Sequence, residues 1–334
     1  MRLMEGNKRT PFLLKPAGKD YLWGGNRLND DFGKGIPMTP LAETWECSTH
    51  PDGLSVVSGG FFSGQTLAQV LRENPEILGT HPHTQGELPI LIKLIDANQD
   101  LSVQVHPDDA YAYAHEGGCL GKTEMWYVVD AEEDAQLIYG LYHDTEKEVL
   151  RESIQKGDIG KYLQKIKVKK DDLFYIEAGT IHAIGAGTLI AEIQQNSNLT
   201  YRLYDYDRVD KNGQKRELHI DKALEVANLK SSAVPRQPMR VLKYKKGCAR
   251  ELLARCKYFE VHRMLVNTEK DNLSVRYKTD VTSFRVLLCI WGSGKIHLEG
   301  QDSIVFRKGD CIFFPADSDP VEIQGKVQLL EVKG

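Results

Sequence analysis

Alternating apolar and polar residues predict that this chain is built mainly of β-strands. At 101–106, Ser102, Gln104 and His106 alternate with apolar residues. Because a strand places every second side chain on the same face, these three polar side chains are expected to point in one direction. Pro107 favours an extended backbone at His106, which agrees with a strand at this position.

A second polar face follows after a turn. The chain returns at 122–127 as a predicted strand in which Lys122, Glu124 and Trp126 share a face. If the two polar faces meet, an imidazole, a carboxylate and an amide oxygen come together. Divalent metals of hard or borderline character bind such groups, so the pattern indicates a metal site that needs one more ligand.

The candidate for that ligand is His182, which ends a tight turn at 179–182 after an apolar strand. Past this turn, residues 200–208 alternate again and place Arg202 on one face with two tyrosines. A lone histidine on a β face, such as His106, is usually structural, but Gln104, Glu124 and the G-x-x-H turn favour a ligand role for it. The sequence therefore predicts a site assembled from several strands.

Few helices are expected. A T-x-x-Q capping box at 66–69 predicts a helix that ends near Pro75. A second capping box at 145–148, followed by spaced apolar residues, predicts one or two helices over 146–165. These would form a helical insertion in a β domain. Asp221 is a candidate cap for a further helix.

The composition changes near the last third of the chain. Residues 231–238 are rich in serine and proline and have linker composition. They divide the chain into 1–235, which carries the polar faces and the helical insertion, and 240–334, which has the strand spacing of a further β sandwich. We expect the second domain to lack a metal.

An internal similarity relates the two predicted domains. Residues 169–176 read like residues 307–314, and both segments lead into a tight turn. In that alignment Pro320 lies opposite His182, so the second copy lacks the histidine. The economical interpretation is two similar β domains, one with metal ligands and one without.

Composition and charge limit the possible partners. The chain has 334 residues, 41% of them hydrophobic, and a formal net charge of −4. That charge argues against nucleic acid or an anionic membrane as the main partner, while a local basic pocket for a phosphorylated small molecule remains allowed. No apolar run predicts a signal peptide or a membrane span. The six cysteines form no CxxC pair, which favours reduced thiols in a cytoplasmic protein.

Six segments together carry a resemblance to a known family. They are, in chain order, 23–25, 41–46, 91–97, 101–109, 121–124 and 200–206. This series resembles the type I phosphomannose isomerases, and the G-x-x-H turn at 179–182 is similar to a motif of the cupins, which are double-sheet jelly rolls. The resemblance implies a mostly β chain of two cupin-like jelly-roll sandwiches, with a small helical insertion in the first.

The resemblance also assigns roles to individual residues. It implies as metal ligands His106, Glu124, His182 and Gln104, as the catalytic residue Arg202, and as substrate-binding residues Ser102 and Lys122. The implied cofactor is one zinc ion per chain, although other divalent metals suit the same ligands. The implied partner is a small-molecule sugar phosphate, bound by a cytoplasmic monomer or homodimer. Lys122, one strand pitch from Glu124, is expected to reach the phosphate.

The implied activity is the reversible aldose–ketose isomerisation of mannose 6-phosphate and fructose 6-phosphate through an enediol. A divalent ion and a permanently charged arginine would both stabilise the negative charge that develops on the enediolate. The residues leave the identity of the carbon base open. Glu192, a lysine such as Lys93, and a metal-bound water are the candidates.

The sequence leaves two other functional classes open. Two histidines and a carboxylate also form the facial triad of Fe(II) oxygenases, some of which are cupins. A non-catalytic, sugar-phosphate-binding cupin would share the same fold. An oxygenase leaves Lys122 and Arg202 unexplained, and a silent protein would be expected to lose a ligand or the arginine.

Overall fold

The computed structural model describes residues 7–81, 87–209, 212–232, 242–270 and 273–334. Strands far outnumber helices over these ranges, so the prediction of a mostly β chain is confirmed. The six cysteines are unpaired, and no helix in the described ranges is long and apolar enough to cross a membrane. The predicted linker at 231–238 lies largely outside the described residues, and the division of the chain near it stays a prediction.

The strands are numbered in chain order. Strands of the first 204 residues are β1 (Phe12–Lys15), β2 (Ala17–Lys19), β3 (Glu43–Cys47), β4 (Val56–Ser58), β5 (Ile90–Ala97), β6 (Val103–Val105), β7 (Glu124–Ala131), β8 (Gln136–Leu141), β9 (Leu163–Lys167), β10 (Leu173–Ile176), β11 (His182–Ile184), β12 (Thr188–Gln195) and β13 (Tyr201–Tyr204). Later strands are β14 (Leu242–Lys245), β15 (Cys248–Arg255), β16 (Glu260–Asn267), β17 (Val275–Tyr277), β18 (Arg285–His297), β19 (Ile304–Arg307), β20 (Cys311–Phe314) and β21 (Val321–Lys333).

The helices are short and lie between the strands. The α-helices are α1 (Arg27–Asp30), α2 (Leu67–Glu73), α3 (Asp109–His115), α4 (Lys147–Gln155) and α5 (Ile220–Val226). Single 3₁₀ turns follow α2 at Pro75–Leu78 and α4 at Ile159–Lys161. The longest α-helix among the described residues therefore has nine residues, and the architecture depends on the sheets.

Within the described ranges the strands form three antiparallel sheets. The inner sheet has the order β10-β7-β12-β5-β3-β2, and the outer sheet has the order β13-β6-β11-β8-β9. The C-terminal sheet has ten strands, with the path β14-β15-β16-β21-β18-β20-β1-β4 and with β17 and β19 paired to β21 and β18.

The inner sheet lies between the other two. Trp126 of the inner sheet and Leu137 of the outer sheet belong to one apolar core. Tyr127, the next residue along β7, belongs to a different core that it shares with Leu330 of the C-terminal sheet. Because successive side chains of a strand point to opposite faces, β7 contacts both neighbouring layers. Alternate residues of β7 therefore face the space between the inner and outer sheets on one side and the C-terminal sheet on the other.

The N-terminal segment contributes to the C-terminal sheet, which the sequence pattern did not predict. β1 pairs with β20, with Phe12 opposite Phe313, and it pairs with β4 on its other side. The rings of Phe12 and Phe313 stack with centroids 5.2 Å apart. Because an unpaired strand edge exposes backbone N–H and C=O groups, β1 protects β20. The opposite face of the sheet encloses a further apolar core that includes Phe306 and Leu329.

The first predicted helix cap is confirmed, and another one is wrong. Before α2, the Gln69 backbone N–H donates to the Thr66 hydroxyl over 3.2 Å, and the Thr66 N–H donates to the Gln69 side chain over 3.0 Å. The helix ends two residues before Pro75. Asp221, in contrast, lies in the first turn of α5 and does not cap it, since the cap position belongs to His219.

The second predicted capping box is also wrong. α4 begins after Glu146 without a side-chain cap, and the Thr145 hydroxyl donates instead to the His143 carbonyl over 3.0 Å. Gly157, at φ +72°, adopts the left-handed backbone that ends helices. The predicted helical range of 146–165 is therefore right for α4 and the 3₁₀ turn but wrong at its end, where β9 pairs with β8.

The internal similarity corresponds to the same turn in both halves. The Lys169 N–H donates to Asp172 Oδ2 over 2.9 Å before β10, and the Arg307 N–H donates to Asp310 Oδ2 over 2.7 Å before β20. In both cases the aspartate N–H returns a bond to the first carbonyl, over 3.1 and 2.9 Å. The two segments therefore share a local structure as well as a sequence pattern.

Candidate metal centre

Both histidines and the glutamate of the predicted ligand set meet between the inner and outer sheets. His106 follows β6 and His182 begins β11 in the outer sheet, while Glu124 begins β7 in the inner sheet. One ligand atom from each residue lies within 4.8 Å of the other two, and all three side chains are buried. The two polar faces read from the sequence thus face each other across the sandwich.

Backbone carbonyls fix both imidazoles. His106 Nδ1 lies 2.9 Å from the Leu199 carbonyl oxygen, and His182 Nδ1 lies 2.8 Å from the Thr180 carbonyl oxygen. Because a carbonyl can only accept, each Nδ1 carries the proton and each Nε2 presents a lone pair. Burial lowers the pKa of His182 to about 4 and holds the pKa of His106 well below its ordinary value, so both rings are neutral near pH 7.

Both lone pairs are directed at a carboxylate. His106 Nε2 lies 3.6 Å from Glu124 Oε2, and His182 Nε2 lies 3.4 Å from Glu124 Oε1. Within the described part of the chain, neither His106 Nε2 nor Glu124 Oε1 has a hydrogen-bond partner. Two acceptors that face one another are unfavourable in a buried site, and a cation bound between the imidazoles and the carboxylate removes the conflict. Neutral imidazoles and a carboxylate are the usual ligands of a divalent metal such as zinc, so these residues fit one.

The fourth predicted ligand lies beside this cluster. Gln104 is on β6 of the outer sheet, directly opposite His182 of β11 on one side and Arg202 of β13 on the other. Its Nε2 lies 3.4 Å from His182 Nε2. A 180° rotation of the amide would turn its oxygen, which is a metal-binding atom, toward the same point. The position of Gln104 is thus compatible with a further ligand.

A line of alternating buried charges extends from Glu124 along the inner sheet. Lys122 Nζ lies 2.8 Å from Glu124 Oε2 and 3.9 Å from Glu192 Oε1. Lys93 Nζ lies 3.1 Å from Glu192 Oε1 and 3.9 Å from Glu43 Oε2. All five side chains are buried. When ionised they carry one net negative charge, which a divalent ion at the histidines would overcompensate.

Burial and neighbouring charges shift the pKa values of Glu124, Glu192 and Lys93 in different directions. Burial and the Glu192 carboxylate raise the pKa of Glu124 to about 7, against the opposing effect of Lys122. Burial would also raise the pKa of Glu192, but Lys122 and Lys93 outweigh it and lower this pKa to about 2. Burial would lower the pKa of Lys93, but Glu192 and Glu43 raise it above its ordinary value. Glu192 and Lys93 are therefore ionised at neutral pH.

The predicted catalytic arginine lies next to the predicted substrate serine. Arg202 Nε donates to Ser102 Oγ over 3.3 Å, and Arg202 Nη1 donates to the Glu217 carbonyl over 2.8 Å. Burial lowers the pKa of Arg202, and the positive charges of Arg216 and Arg208 add to that effect. A guanidinium nevertheless remains protonated, so the site keeps a fixed positive charge held by two contacts.

The strand that carries Arg202 is shorter than predicted. β13 ends at Tyr204, and Tyr206, at φ +56°, lies in the following turn. The prediction that alternation continues through residue 208 is therefore wrong. The turn directs Asp205 inward, where it accepts hydrogen bonds from Arg208 over 2.6 Å and from Arg216 over 2.7 and 2.6 Å.

Two tryptophans hold carboxylates of the site, a role that the sequence analysis assigned to neither of them. The Trp126 indole donates to Glu192 Oε2 over 3.0 Å, and the Trp45 indole donates to Glu43 Oε2 over 2.8 Å. Trp45 and Glu43 occur in a segment that carries the family resemblance, so a signal existed for them. The carbonyls that orient the histidines and the arginines around Asp205 have no such signal, because their positions depend on loops.

Comparison with known families and proteins identifies the family of the chain. Residues 12–152 match the family model described as phosphomannose isomerase type I, catalytic domain, and residues 250–333 match the model described as mannose-6-phosphate isomerase, cupin domain. The chain is 51% identical over 220 residues to the probable mannose-6-phosphate isomerase GmuF of Bacillus subtilis, covering 66% of this chain and 69% of that protein.

Longer matches extend over nearly the whole chain. Mannose-6-phosphate isomerase ManA of Bacillus subtilis is 38% identical over 321 residues, which are 96% of this chain and 98% of that protein. The crystal structure of the mannose 6-phosphate isomerase from Bacillus subtilis superposes with a TM-score of 0.89 at 37% identity, covering 97% of this chain and 99% of the other. The present chain therefore belongs to the type I phosphomannose isomerase family.

Proposed function

We propose that this protein is a metal-dependent mannose-6-phosphate isomerase that interconverts mannose 6-phosphate and fructose 6-phosphate. Membership of the family supports the reaction. The structural observation that carries the proposal is the convergence of two fixed imidazole lone pairs on one buried carboxylate. Burial keeps both rings neutral, and a cation between the rings and Glu124 explains why both lone pairs are directed at this carboxylate.

In this proposal His106, Glu124 and His182 hold one divalent ion, which we infer to be zinc, and the Gln104 amide oxygen is a further ligand. Two neutral imidazoles and a single carboxylate leave the ion with net positive charge. When bound, such an ion polarises a substrate oxygen and stabilises negative charge on it as a Lewis acid. The carbonyls of Thr180 and Leu199 keep both rings in the required tautomer.

Arg202 is proposed as the second source of positive charge at the reacting carbons. Isomerisation moves a proton between C2 and C1 and shifts protons on O1 and O2, and the enediolate between these states is negatively charged. A guanidinium fixed by Ser102 and the Glu217 carbonyl stabilises that charge without reorganisation. Ser102, whose hydroxyl can both donate and accept, is proposed to contact the substrate beside it.

The placement of Lys122 supports a role different from the one expected from strand spacing. Its ammonium lies 2.8 Å from Glu124 and is buried, so it lies close to the ligands rather than at a distant phosphate. We propose that Lys122 contacts a sugar oxygen near the metal ligands. Its neighbour Glu192, held ionised by Lys122 and Lys93, is a candidate for the carbon base.

The phosphate then requires another cationic site. The positive charges that act most strongly on Arg202 belong to Arg216 and Arg208, and Asp205 neutralises only one of the three guanidiniums. The cluster therefore keeps an excess of two positive charges, which matches a phosphate dianion. We propose that the phosphate binds on this side of the pocket, where its binding energy positions the distant reacting carbons.

The alternatives are less well supported. An Fe(II) oxygenase uses the same triad but has no need for the buried lysines beside it. A silent binding protein has no need for neutral, oriented histidines. The complete ligand set, the alternating charges and the family membership together support an isomerase.

The test is a coupled assay for fructose 6-phosphate formation from mannose 6-phosphate. We expect turnover in the purified chain, loss of turnover after chelation, and recovery on addition of zinc. The variant His182→Ala is expected to lose bound metal and activity together. A matched control is His297→Ala, because His297 bonds to Gln324 and Ser303 far along the chain from the ligands and should leave both unchanged. Full activity in a metal-free His182→Ala protein would refute the proposal, and oxygen consumption without isomerisation would favour the oxygenase.

A further inference from the structure

One carboxylate connects the ligand-bearing segment to two other parts of the chain. Asp109, the first residue of α3, accepts hydrogen bonds at Oδ1 from the Gly121 backbone N–H over 3.0 Å and from Gln195 Nε2 over 2.8 Å. At Oδ2 it accepts a hydrogen bond from the Tyr258 hydroxyl over 2.7 Å. Asp109 thus joins the start of α3, the end of β12 and the loop before β7.

The bonds of Asp109 continue to the residues of the site. Gln195 Oε1 accepts from the Thr123 N–H over 2.8 Å, and the Gln195 N–H donates to the Thr123 carbonyl over 3.1 Å. Thr123 lies between Lys122 and Glu124 in the sequence. The Lys122 N–H is itself fixed by the Pro107 carbonyl over 3.0 Å. The backbone on both sides of Thr123 is therefore set by a network that Asp109 anchors.

The loop has no freedom to shift toward α3. A Cβ built at Gly121 would lie 2.5 Å from the Asp109 backbone nitrogen, which is far inside van der Waals contact. The loop therefore packs backbone to backbone on the helix start. A change in the orientation of Asp109 is transmitted directly to Gly121 and, through Gln195, to Thr123.

The third bond of Asp109 comes from a different layer of the molecule. Tyr258 lies in the turn between β15 and β16 of the C-terminal sheet, and the Cys256 N–H closes this turn on the Phe259 carbonyl over 3.0 Å. Phe259 is buried in the core shared with the inner sheet, so the turn is held in place. Lys257 Nζ lies 3.5 Å from Asp109 Oδ2 but is 61% exposed, and such a pair contributes little.

We propose that Tyr258 is a positioning residue through which the C-terminal sheet sets the geometry of the metal ligand Glu124. The inference rests on the metal site proposed above. The Tyr258 hydroxyl holds Asp109 in the orientation in which its other oxygen serves Gly121 and Gln195. These two contacts fix the backbone from which Lys122 and Glu124 project. The C-terminal sheet then has a defined role in the site, in addition to covering apolar surface.

Removal of the Tyr258 hydroxyl should cost about one hydrogen bond in the network that positions Glu124. Loss of a single hydrogen bond corresponds to about a twofold to twelvefold change in an equilibrium constant. Outer partners of metal ligands change metal affinity when they are removed, so the effect should appear in zinc binding. A merely structural role would lower the melting temperature and leave zinc affinity unchanged.

The experiment compares Tyr258→Phe with Tyr277→Phe in the full chain. Tyr277 is a matched control because its hydroxyl donates to Glu331 over 2.7 Å within the same sheet. Zinc affinity of the metal-free proteins is measured by competition with a chromophoric chelator, and hydrogen exchange is measured for residues 118–125. We expect Tyr258→Phe to raise the zinc dissociation constant about twofold to twelvefold and to speed exchange in that segment, and we expect Tyr277→Phe to do neither.

A second variant makes the test independent of one substitution. Asp109→Asn keeps the size of the side chain but removes the charge that its three donors share, and it should weaken zinc binding more than Tyr258→Phe. If the parent binds zinc and both variants bind it equally well, this inference is overturned alone. If the parent binds no zinc, the proposed metal site is overturned and the inference with it.

Discussion

Replacement of Arg202 tests whether this residue stabilises the developing negative charge or binds the phosphate. Arg202 Nε donates to Ser102 Oγ over 3.3 Å, and Nη1 donates to the Glu217 carbonyl over 2.8 Å. Nη2 makes no hydrogen bond to any residue that the structure describes. We therefore propose that Nη2 is the donor that contacts a substrate oxygen. Arg202→Ala removes the charge, and Arg202→Lys keeps a charge but loses the fork and its two fixed contacts.

The magnitude follows from the type of interaction. Removing one preorganised donor from a developing oxyanion costs about 10²- to 10³-fold in kcat, which is about 2.7–4 kcal/mol. Because the interaction strengthens only as the charge develops, kcat should fall in Arg202→Ala while KM changes little. Arg202→Lys should lie between the parent and Arg202→Ala, since a point charge without the Ser102 contact is less well placed.

The assay is steady-state kinetics with mannose 6-phosphate, together with the metal content of each variant. Metal content should be unchanged, because Arg202 does not contact the ligand atoms of the triad. Arg72→Ala is a suitable control, since Arg72 is an exposed residue in the last turn of α2 and its loss should leave kcat unchanged. An Arg202→Ala enzyme with normal kcat and a raised KM would show that Arg202 binds the phosphate instead.

Three further predictions concern the surrounding structure. Arg216→Ala should raise KM for the phosphorylated substrate with a smaller change in kcat, and an unchanged KM would place the phosphate elsewhere. Burial would raise the pKa of Asp205, but hydrogen bonds from Arg216 and Arg208 outweigh it and lower this pKa. The stability that Asp205 contributes is therefore present above its unfolded pKa of about 3.9, and it is lost as the pH falls through the lower folded pKa. In urea unfolding, the difference in free energy of unfolding between the parent and Asp205→Asn should be constant near pH 7 and should shrink below about pH 4. Phe12→Ala should lower the free energy of unfolding by about 3–5 kcal/mol, because the ring is buried against Phe313; a loss below about 1 kcal/mol would mean that β1 does not stabilise the C-terminal sheet.

Local sequence patterns were sufficient to predict which functional side chains share a strand face. The faces that carry Gln104, His106 and Glu124 could be read from alternation, because neighbouring strand residues always point to opposite sides. His182 was identified by a different local signal, the G-x-x-H turn. The pattern could not show which strands pair, so the meeting of these faces depended on the family resemblance until the sheet order was known.

Long-range pairings explain what the sequence did not show. Lys93 and Glu192 are directly opposite each other on β5 and β12, almost a hundred residues apart, and their ion pair beside Lys122 follows from that register. Strand register depends on the whole sheet rather than on a local motif. The contact between Tyr258 and Asp109 is of the same kind, since a turn in one sheet meets a helix start in another layer.

The errors in the predicted elements have local physical causes. Thr145 lies in a sequence that matches a capping box, but the chain places Glu146 at the cap position and turns the hydroxyl toward His143. Gly157 ends the helix before the predicted boundary. Beyond Tyr204 the strand stops because the next residues form a turn around Asp205, whose partners Arg208 and Arg216 are not visible from alternation.

The central claim is that His106, Glu124 and His182 bind one divalent ion. The most direct measurement is anomalous diffraction at the zinc edge from crystals of the chain prepared with one equivalent of zinc. The account predicts a single strong peak about 2.0–2.2 Å from His106 Nε2, His182 Nε2 and a Glu124 carboxylate oxygen. A fully active enzyme whose crystals show no anomalous peak between these three side chains would contradict it.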